Sequence, residues 1–130
     1  MEKSKIESAA APQALGPYSQ GIAARGGTPL FVSGQLGLDR RTGALVGDSI
    51  AAQTEQAVRN LLAVVEAAGG SAASIVKTTV YLKNLGDFAA MNEVYGRMFE
   101  APFPARACVG VAALPKDALV EIEAIAMLGS

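Results

Sequence analysis

Residues 103–126 read FPARACVGVAALPKDALVEIEAIA, two strand-like runs on either side of the turn signal Leu114-Pro115-Lys116-Asp117. The pattern predicts a hairpin. Period-2 alternation puts Ala105, Ala107, Val109 and Val111 on one face of the first run and Arg106, Cys108, Gly110 and Ala112 on the other. In the second run Val120, Ile122, Ala124 and Ala126 share a face opposite Glu121, Glu123, Ile125 and Met127. Each run therefore has one wholly apolar face and one that mixes ionic with apolar groups. Water does not favour Cys108, Ile125 and Met127, and a core does not favour Arg106 with Glu121 and Glu123. The expectation is that a second subunit covers the mixed face and encloses a small pocket containing an arginine and a carboxylate.

Two readings of Arg106 fit the spacing. It could pair with Glu121 or Glu123 across the hairpin, a surface ion pair worth ~0 to 1 kcal/mol. Alternatively it binds a ligand. Arginine grips a planar carboxylate with two parallel hydrogen bonds, and small neighbours such as Cys108 and Gly110 let backbone N–H groups approach. The second reading gives a site for a small carboxylate-bearing molecule.

Upstream, Ile75–Leu82 (IVKTTVYL) is rich in β-branched residues and reads as a central strand. Residues 88–99 repeat their apolar side chains as Phe88, Met91, Tyr95, Met98 and Phe99, a helix. Asn92 lies beside that apolar stripe, where it either fixes a loop or reaches the pocket. Gly96 within the helix implies close packing against a strand. Residues 50–68 place Ile50, Thr54, Ala57, Val58, Leu61, Val65 and Ala68 on one face, capped by Asp48-Ser49 and stopped by Gly69-Gly70. Gln53 falls outside that face, and nothing catalytic is expected on the helix.

Towards the start of the chain, Ile22-Ala23-Ala24 and Leu30–Leu36 flank Arg25-Gly26-Gly27-Thr28-Pro29 and predict another hairpin. Ser33-Gly34 inside the second strand marks either a bulge or a close backbone approach to a ligand. The resulting order is ββαβαββ. Helices between strands imply parallel crossovers, so the expected fold is α+β: a mixed sheet with both helices on one face. The other face needs a partner subunit.

The length, 130 residues, suits a single domain spanning 1–130. No apolar run approaches the ~18 residues of a membrane span, and the mixed-charge start lacks the apolar region of a signal peptide. One cysteine cannot make an internal disulfide, so a cytoplasmic, soluble protein with no membrane association is expected. A net charge of −1 and a single adjacent basic pair, Arg40-Arg41, argue against nucleic acid as a partner. There is no histidine, which removes the usual general base and most transition-metal sites. Any chemistry falls to carboxylate, tyrosine, thiol, arginine and backbone groups. Cys108 is not expected to act as a covalent nucleophile, since no histidine is present to activate it.

Four stretches resemble one family: GPYSQG at 16–21, SGQLGL at 33–38, EAAGGSAASIVKTTVYLKNLGDFAAMNEVY at 66–95, and residues 103–126 quoted above. Together they are similar to the RidA/YjgF imine deaminases, over nearly the whole chain. The resemblance implies a chorismate-mutase-like fold and a homotrimer with clefts between subunits. It also implies cofactor-free and metal-free hydrolysis of 2-imino acids to 2-oxo acids and ammonia. By position, Arg106 would bind the substrate carboxylate and Glu121 would position or activate water. Tyr18, Ser33, Gly34, Asn92 and Cys108 would line the pocket, Cys108 mostly through its backbone. Many relatives carry a larger residue where this chain has Gly110, which leaves room at the expected subunit seam. Two other functions stay open: a small-carboxylate binding or sensor protein, and a ribonuclease or translation inhibitor. The acidic balance and missing histidine count against the latter.

Overall fold

The β-branched run Ile75–Leu82 forms the strand around which the sheet is assembled. The computed structural model describes residues 1–129. In chain order the elements are β1 (Glu2–Ile6), β2 (Gly21–Arg25), β3 (Thr28–Leu36), α1 (Ile50–Ala67), β4 (Ile75–Leu82), α2 (Phe88–Met98), β5 (Ala105–Gly110) and β6 (Val120–Leu128). β3, β6, β4 and β5 lie side by side in a four-stranded sheet, while β1 and β2 pair separately. β5 is parallel to β4, and both β3 and β4 run antiparallel to β6. The sheet is mixed, and the two helix-containing connections join parallel strands as expected.

Helix α1 follows its sequence signals closely. The Ser49 hydroxyl accepts from the Ala52 amide at 3.1 Å, and Gly69 takes φ +89° while the Gly70 amide donates to the Val65 carbonyl at 3.0 Å. Thr54, Ala57, Val58, Leu61 and Val65 are buried against Val32, Val80, Val120 and Ile122 of the sheet. Gln53 corrects the expected face. Its amide is buried, donating to the Gly47 carbonyl and accepting from the Leu119 amide, both at 2.8 Å.

Neither predicted hairpin forms. β5 and β6 are separated by β4, because residues 111–119 carry the chain across the end of that strand. The Val111 amide donates to the Leu82 carbonyl at 2.9 Å, and the Lys83 amide to the Leu119 carbonyl at 3.0 Å. Lys116 and Asp117 turn the chain at φ 58° and 54° before β6 begins. Likewise β2 pairs with β1 and not with β3. β1 had no strand signal, since its alternating Lys, Ser and Glu have low β-propensity. It is tied down by Lys3, whose ammonium donates to the Ala73 and Ile75 carbonyls at 3.3 and 3.1 Å. β3 instead starts beside the end of β6, so close that a Cβ on Gly27 would overlap the Leu128 carbonyl oxygen.

This strand order sorts the side chains. Thr78, Val80, Leu82, Val120, Ile122, Ala124 and Ala126 face the helices, and the register of β5 on β4 puts Arg106, Cys108 and Gly110 on that same side. Glu121, Glu123, Tyr81 and Thr79 face the other way, as do Ala107 and Val109. The mixed faces of β5 and β6 are therefore opposite faces of the sheet. This corrects the expectation that they share one.

Candidate functional site

Arg106 sits on the edge strand β5, beside Thr78 of β4 and under the first turns of α2. Its guanidinium donates to Asn92 Oδ1 at 2.6 Å. Its Cζ lies 5.3 Å from the Tyr18 ring centroid, 5.7 Å from Phe88 and 5.0 Å from Tyr95. No carboxylate forms an ion pair with it among the described residues, where the four salt bridges join Lys5–Glu7, Arg59–Glu55, Lys83–Asp117 and Arg97–Glu93. The ion pair across a hairpin is thus excluded within one chain.

The surrounding groups are placed by local structure. Phe88, Asn92 and Tyr95 follow at helical spacing along α2, so one face of the helix presents them towards β5. Tyr18 is brought in by the loop before β2. The Ser19 hydroxyl donates to the Phe103 carbonyl at 2.6 Å and its amide to the Pro104 carbonyl at 3.1 Å, which pins this loop to the start of β5. Gly16 lets the Tyr18 ring lie close, 3.4 Å from where a Cβ would stand. Gly96 packs against Pro17 of the same loop, not against a strand as expected.

Tyr95 and Thr78 are fully buried, with their hydroxyls 2.7 Å apart. Burial pushes the Tyr95 phenol up to about 12, with the Thr78 hydrogen bond and the Arg106 charge pulling in the opposite direction. Cys108 is half-buried beneath the same helix. Burial raises its thiol above the ordinary value, partly offset by Arg106, so it rests as a thiol and not as a thiolate nucleophile.

The second cluster occupies the opposite face. Ser33-Gly34 form a bulge in β3, between Val32 and Gln35 in the pairing with β6. The Glu121 side chain lies over this bulge: a Cβ on Gly34 would overlap Glu121 Oε2 and stand 2.8 Å from its Cδ. Glu123 accepts a hydrogen bond from the Tyr81 hydroxyl at 2.6 Å, which raises the Tyr81 phenol. Ser33 is exposed. Phe31 beside it is 73% exposed, and Val109 on the same face 43%. The space beside Gly110, expected to be left open at a subunit seam, is filled within the chain by Leu85, whose Cγ is 2.8 Å from the would-be Cβ.

The structure thus brings Arg106, Asn92, Tyr18 and Cys108 into one cluster and Glu121, Gly34 and Ser33 into another. The sheet lies between them. Phe88, Tyr95 and Thr78 were not singled out as site residues. The signal available was the spacing of Phe88, Asn92 and Tyr95, a polar amide inside an aromatic helix stripe. A cavity of about 770 Å³ is lined by Tyr18 and Phe103 but by neither Arg106 nor Glu121. Among the described residues no three of Cys, Asp and Glu converge to hold a metal ion, and no helix is long and apolar enough to cross a membrane.

Comparison with known proteins finds a match to the family described as endoribonuclease L-PSP over residues 8–128. A RutC family protein of Pyrococcus horikoshii is 52% identical over 116 residues, 89% of this chain and 90% of that one. The 2-iminobutanoate/2-iminopropanoate deaminase of Dermatophagoides farinae is 44% identical, over 95% of this chain and 94% of its own. Among solved structures, RidA from an Antarctic Psychrobacter superposes with a TM-score of 0.76 at 46% identity, covering 96% of this chain and 99% of that one.

Proposed function

The chain belongs to the endoribonuclease L-PSP family, which includes the RidA/YjgF proteins, and from that premise we propose that it hydrolyses reactive 2-imino acids to 2-oxo acids and ammonia. The observation that supports this most directly is Arg106. Its guanidinium is flanked by three aromatic rings, bonded to one neutral acceptor and, among the described residues, without a carboxylate partner. Such a group favours an anion supplied by a ligand, and its planar fork suits a carboxylate.

With the carboxylate on Arg106, the adjacent imine carbon is fixed relative to a water molecule, a positioning effect. Glu121 takes a proton from that water as its oxygen bonds to the carbon of the protonated imine, and the C=N π electrons move onto nitrogen to give a neutral carbinolamine. The C–N bond then breaks. Glu121 returns its proton to the nitrogen, which leaves as ammonia; the hydroxyl oxygen passes its own proton back to Glu121 and becomes the carbonyl of the 2-oxo acid, and Glu121 then releases that proton to the departing ammonia as ammonium. An imine is already electrophilic towards water, so this sparse set of groups suffices without histidine.

Since Arg106 and Glu121 face opposite sides of the sheet, we infer that each complete cleft combines Arg106, Asn92, Tyr18 and Cys108 of one copy with Glu121, Gly34 and Ser33 of another. The homotrimer suggested by the family resemblance provides for this. The exposed Phe31 and Val109 fit a face covered by a neighbouring copy. A cytoplasmic setting suits substrates released by amino-acid metabolism.

The test follows imine lifetime. An amino-acid oxidase generates 2-imino acid from leucine, semicarbazide traps what survives, and wild type should suppress the trapped product while Arg106→Ala does not. Mixing refolded Arg106→Ala and Glu121→Ala chains should restore part of the activity, because some clefts then pair intact halves. If wild type leaves the signal unchanged yet binds pyruvate through Arg106, hydrolysis is refuted and carboxylate binding is what remains.

A further inference from the structure

We propose that Thr78 and Tyr95 act as a positioning pair for Arg106: their buried hydroxyl–hydroxyl bond locks the Tyr95 ring under the guanidinium and so fixes the direction of its free N–H edge. Thr78 is the β4 residue in register with Arg106, and its Oγ1 lies 2.7 Å from the Tyr95 hydroxyl. The ring that this bond holds is the one nearest the guanidinium, at 5.0 Å. Strand neighbour, hydroxyl pair and ring thus form one closed unit around the arginine.

A buried hydroxyl pair has no packing advantage. Phenylalanine and valine would fill nearly the same space with no polar atoms to satisfy. What the hydroxyls add is orientation. Tyr95 also touches Phe99, ring centroids 4.5 Å apart and tilted by 33°, a contact that alone would let the ring rock. Tyr18 and Phe88 also lie close to the guanidinium, at 5.3 and 5.7 Å from Cζ, and one of its donors is held by Asn92. A ring free to tilt would let that donor edge swing, and an oriented grip on a planar anion would weaken.

This inference rests on the reading of Arg106 as the carboxylate-binding group, and the test separates the two. The first readout needs no ligand. The Arg106 Nε–Hε resonance should be ring-current shifted in wild type, move towards its random-coil position in Tyr95→Phe and in Thr78→Val, and stay in place in Thr78→Ser, which keeps the hydroxyl. Tyr81→Phe, on the opposite face of the sheet, should also leave it in place. The second readout is the affinity for 2-oxobutanoate by calorimetry. Each single variant should bind roughly three- to tenfold more weakly, the size of one neutral hydrogen bond, and the double variant no more weakly than either single. An unmoved resonance in Tyr95→Phe and Thr78→Val, or additive losses in the double variant, would overturn the positioning role. If wild type binds no 2-oxo acid, the carboxylate reading fails and the resonance alone decides whether the pair positions Arg106.

Discussion

Replacing Gly34 by alanine tests the water-positioning role of Glu121 without touching the arginine cluster. The added Cβ would overlap Glu121 Oε2 and stand 2.8 Å from Cδ and 3.0 Å from Cγ. Ordinary carbon contacts lie at about 3.5–4.0 Å, so the carboxylate has to move by roughly 1 Å. The obstacle is the far end of a flexible side chain, so the backbone need not shift. Gly34 is exposed, and its φ lies outside the left-handed region. An off-rotamer Glu121 costs about 0.5–1.5 kcal/mol, while loss of glycine's freedom in the unfolded chain returns about 0.4–1 kcal/mol. The melting temperature should therefore change by only a few degrees. A displacement of about 1 Å in a positioned group can cost about 100-fold in rate. Steady-state assay of imine hydrolysis should show kcat down by that order, and calorimetry should show a much smaller loss of 2-oxo acid affinity. Full activity in the folded variant would refute the role of Glu121. An equal loss of 2-oxo acid affinity would refute the division of labour between the two faces.

Asn92→Ala removes the neutral acceptor held by Arg106 at 2.6 Å, a charge-assisted bond of about 1.5–3 kcal/mol, and should weaken 2-oxo acid binding at least tenfold by calorimetry. Gly37→Ala is the counterexample to Gly34: its Cβ would stand 2.6 Å from the Gln53 carbonyl oxygen and 2.7 Å from its Cα, backbone atoms of α1 that cannot swing aside. Denaturant unfolding should show a loss of more than about 2 kcal/mol. The phenol of Tyr95 is held at about 12, against an ordinary 10.0, mainly by burial, so the folded state favours its neutral form. Its contribution to stability is fully present below the ordinary value and is lost as pH rises through about 12, so melting temperature should fall less steeply above pH 10 in Tyr95→Phe than in wild type.

Local signals in this sequence were faithful where a residue's own neighbours determine its conformation. The strand Ile75–Leu82 appears with its expected bounds, α1 ends one residue earlier than expected, and α2 occupies Phe88–Met98. The bulge at Ser33-Gly34 was legible because glycine in a strand has few other uses. Alternation along β5 and β6 was also read correctly, strand by strand. What alternation does not encode is which strand lies alongside. The turn residues Lys116 and Asp117 do reverse the chain, but the backbone hydrogen bonds at Val111 and Lys83 lead it over β4 first. Once β4 intervenes, the register of each strand on it decides the face, and Arg106 and Glu121 separate.

The apparent contradiction in the pattern, ionic groups on a face too apolar for water, had two different causes. On β5 the mixed face lies under α2, where Arg106 is accommodated by Asn92 and the aromatic rings, while the apolar face with Ala107 and Val109 is the exposed one. On β6 the reverse holds: the apolar face is core, and Glu121 and Glu123 stand on the open side beside Ile125 and the exposed Phe31. A single chain thus leaves an apolar stretch of β5 and β3 facing outward next to two carboxylates. It also leaves an arginine with unused donors on the opposite face. Covering the first with a neighbouring copy can bring that copy's arginine cluster to the carboxylates. Burial of the open face and completion of the site would then be one event, so variants that weaken association should lose activity in step with assembly even when every site residue is intact.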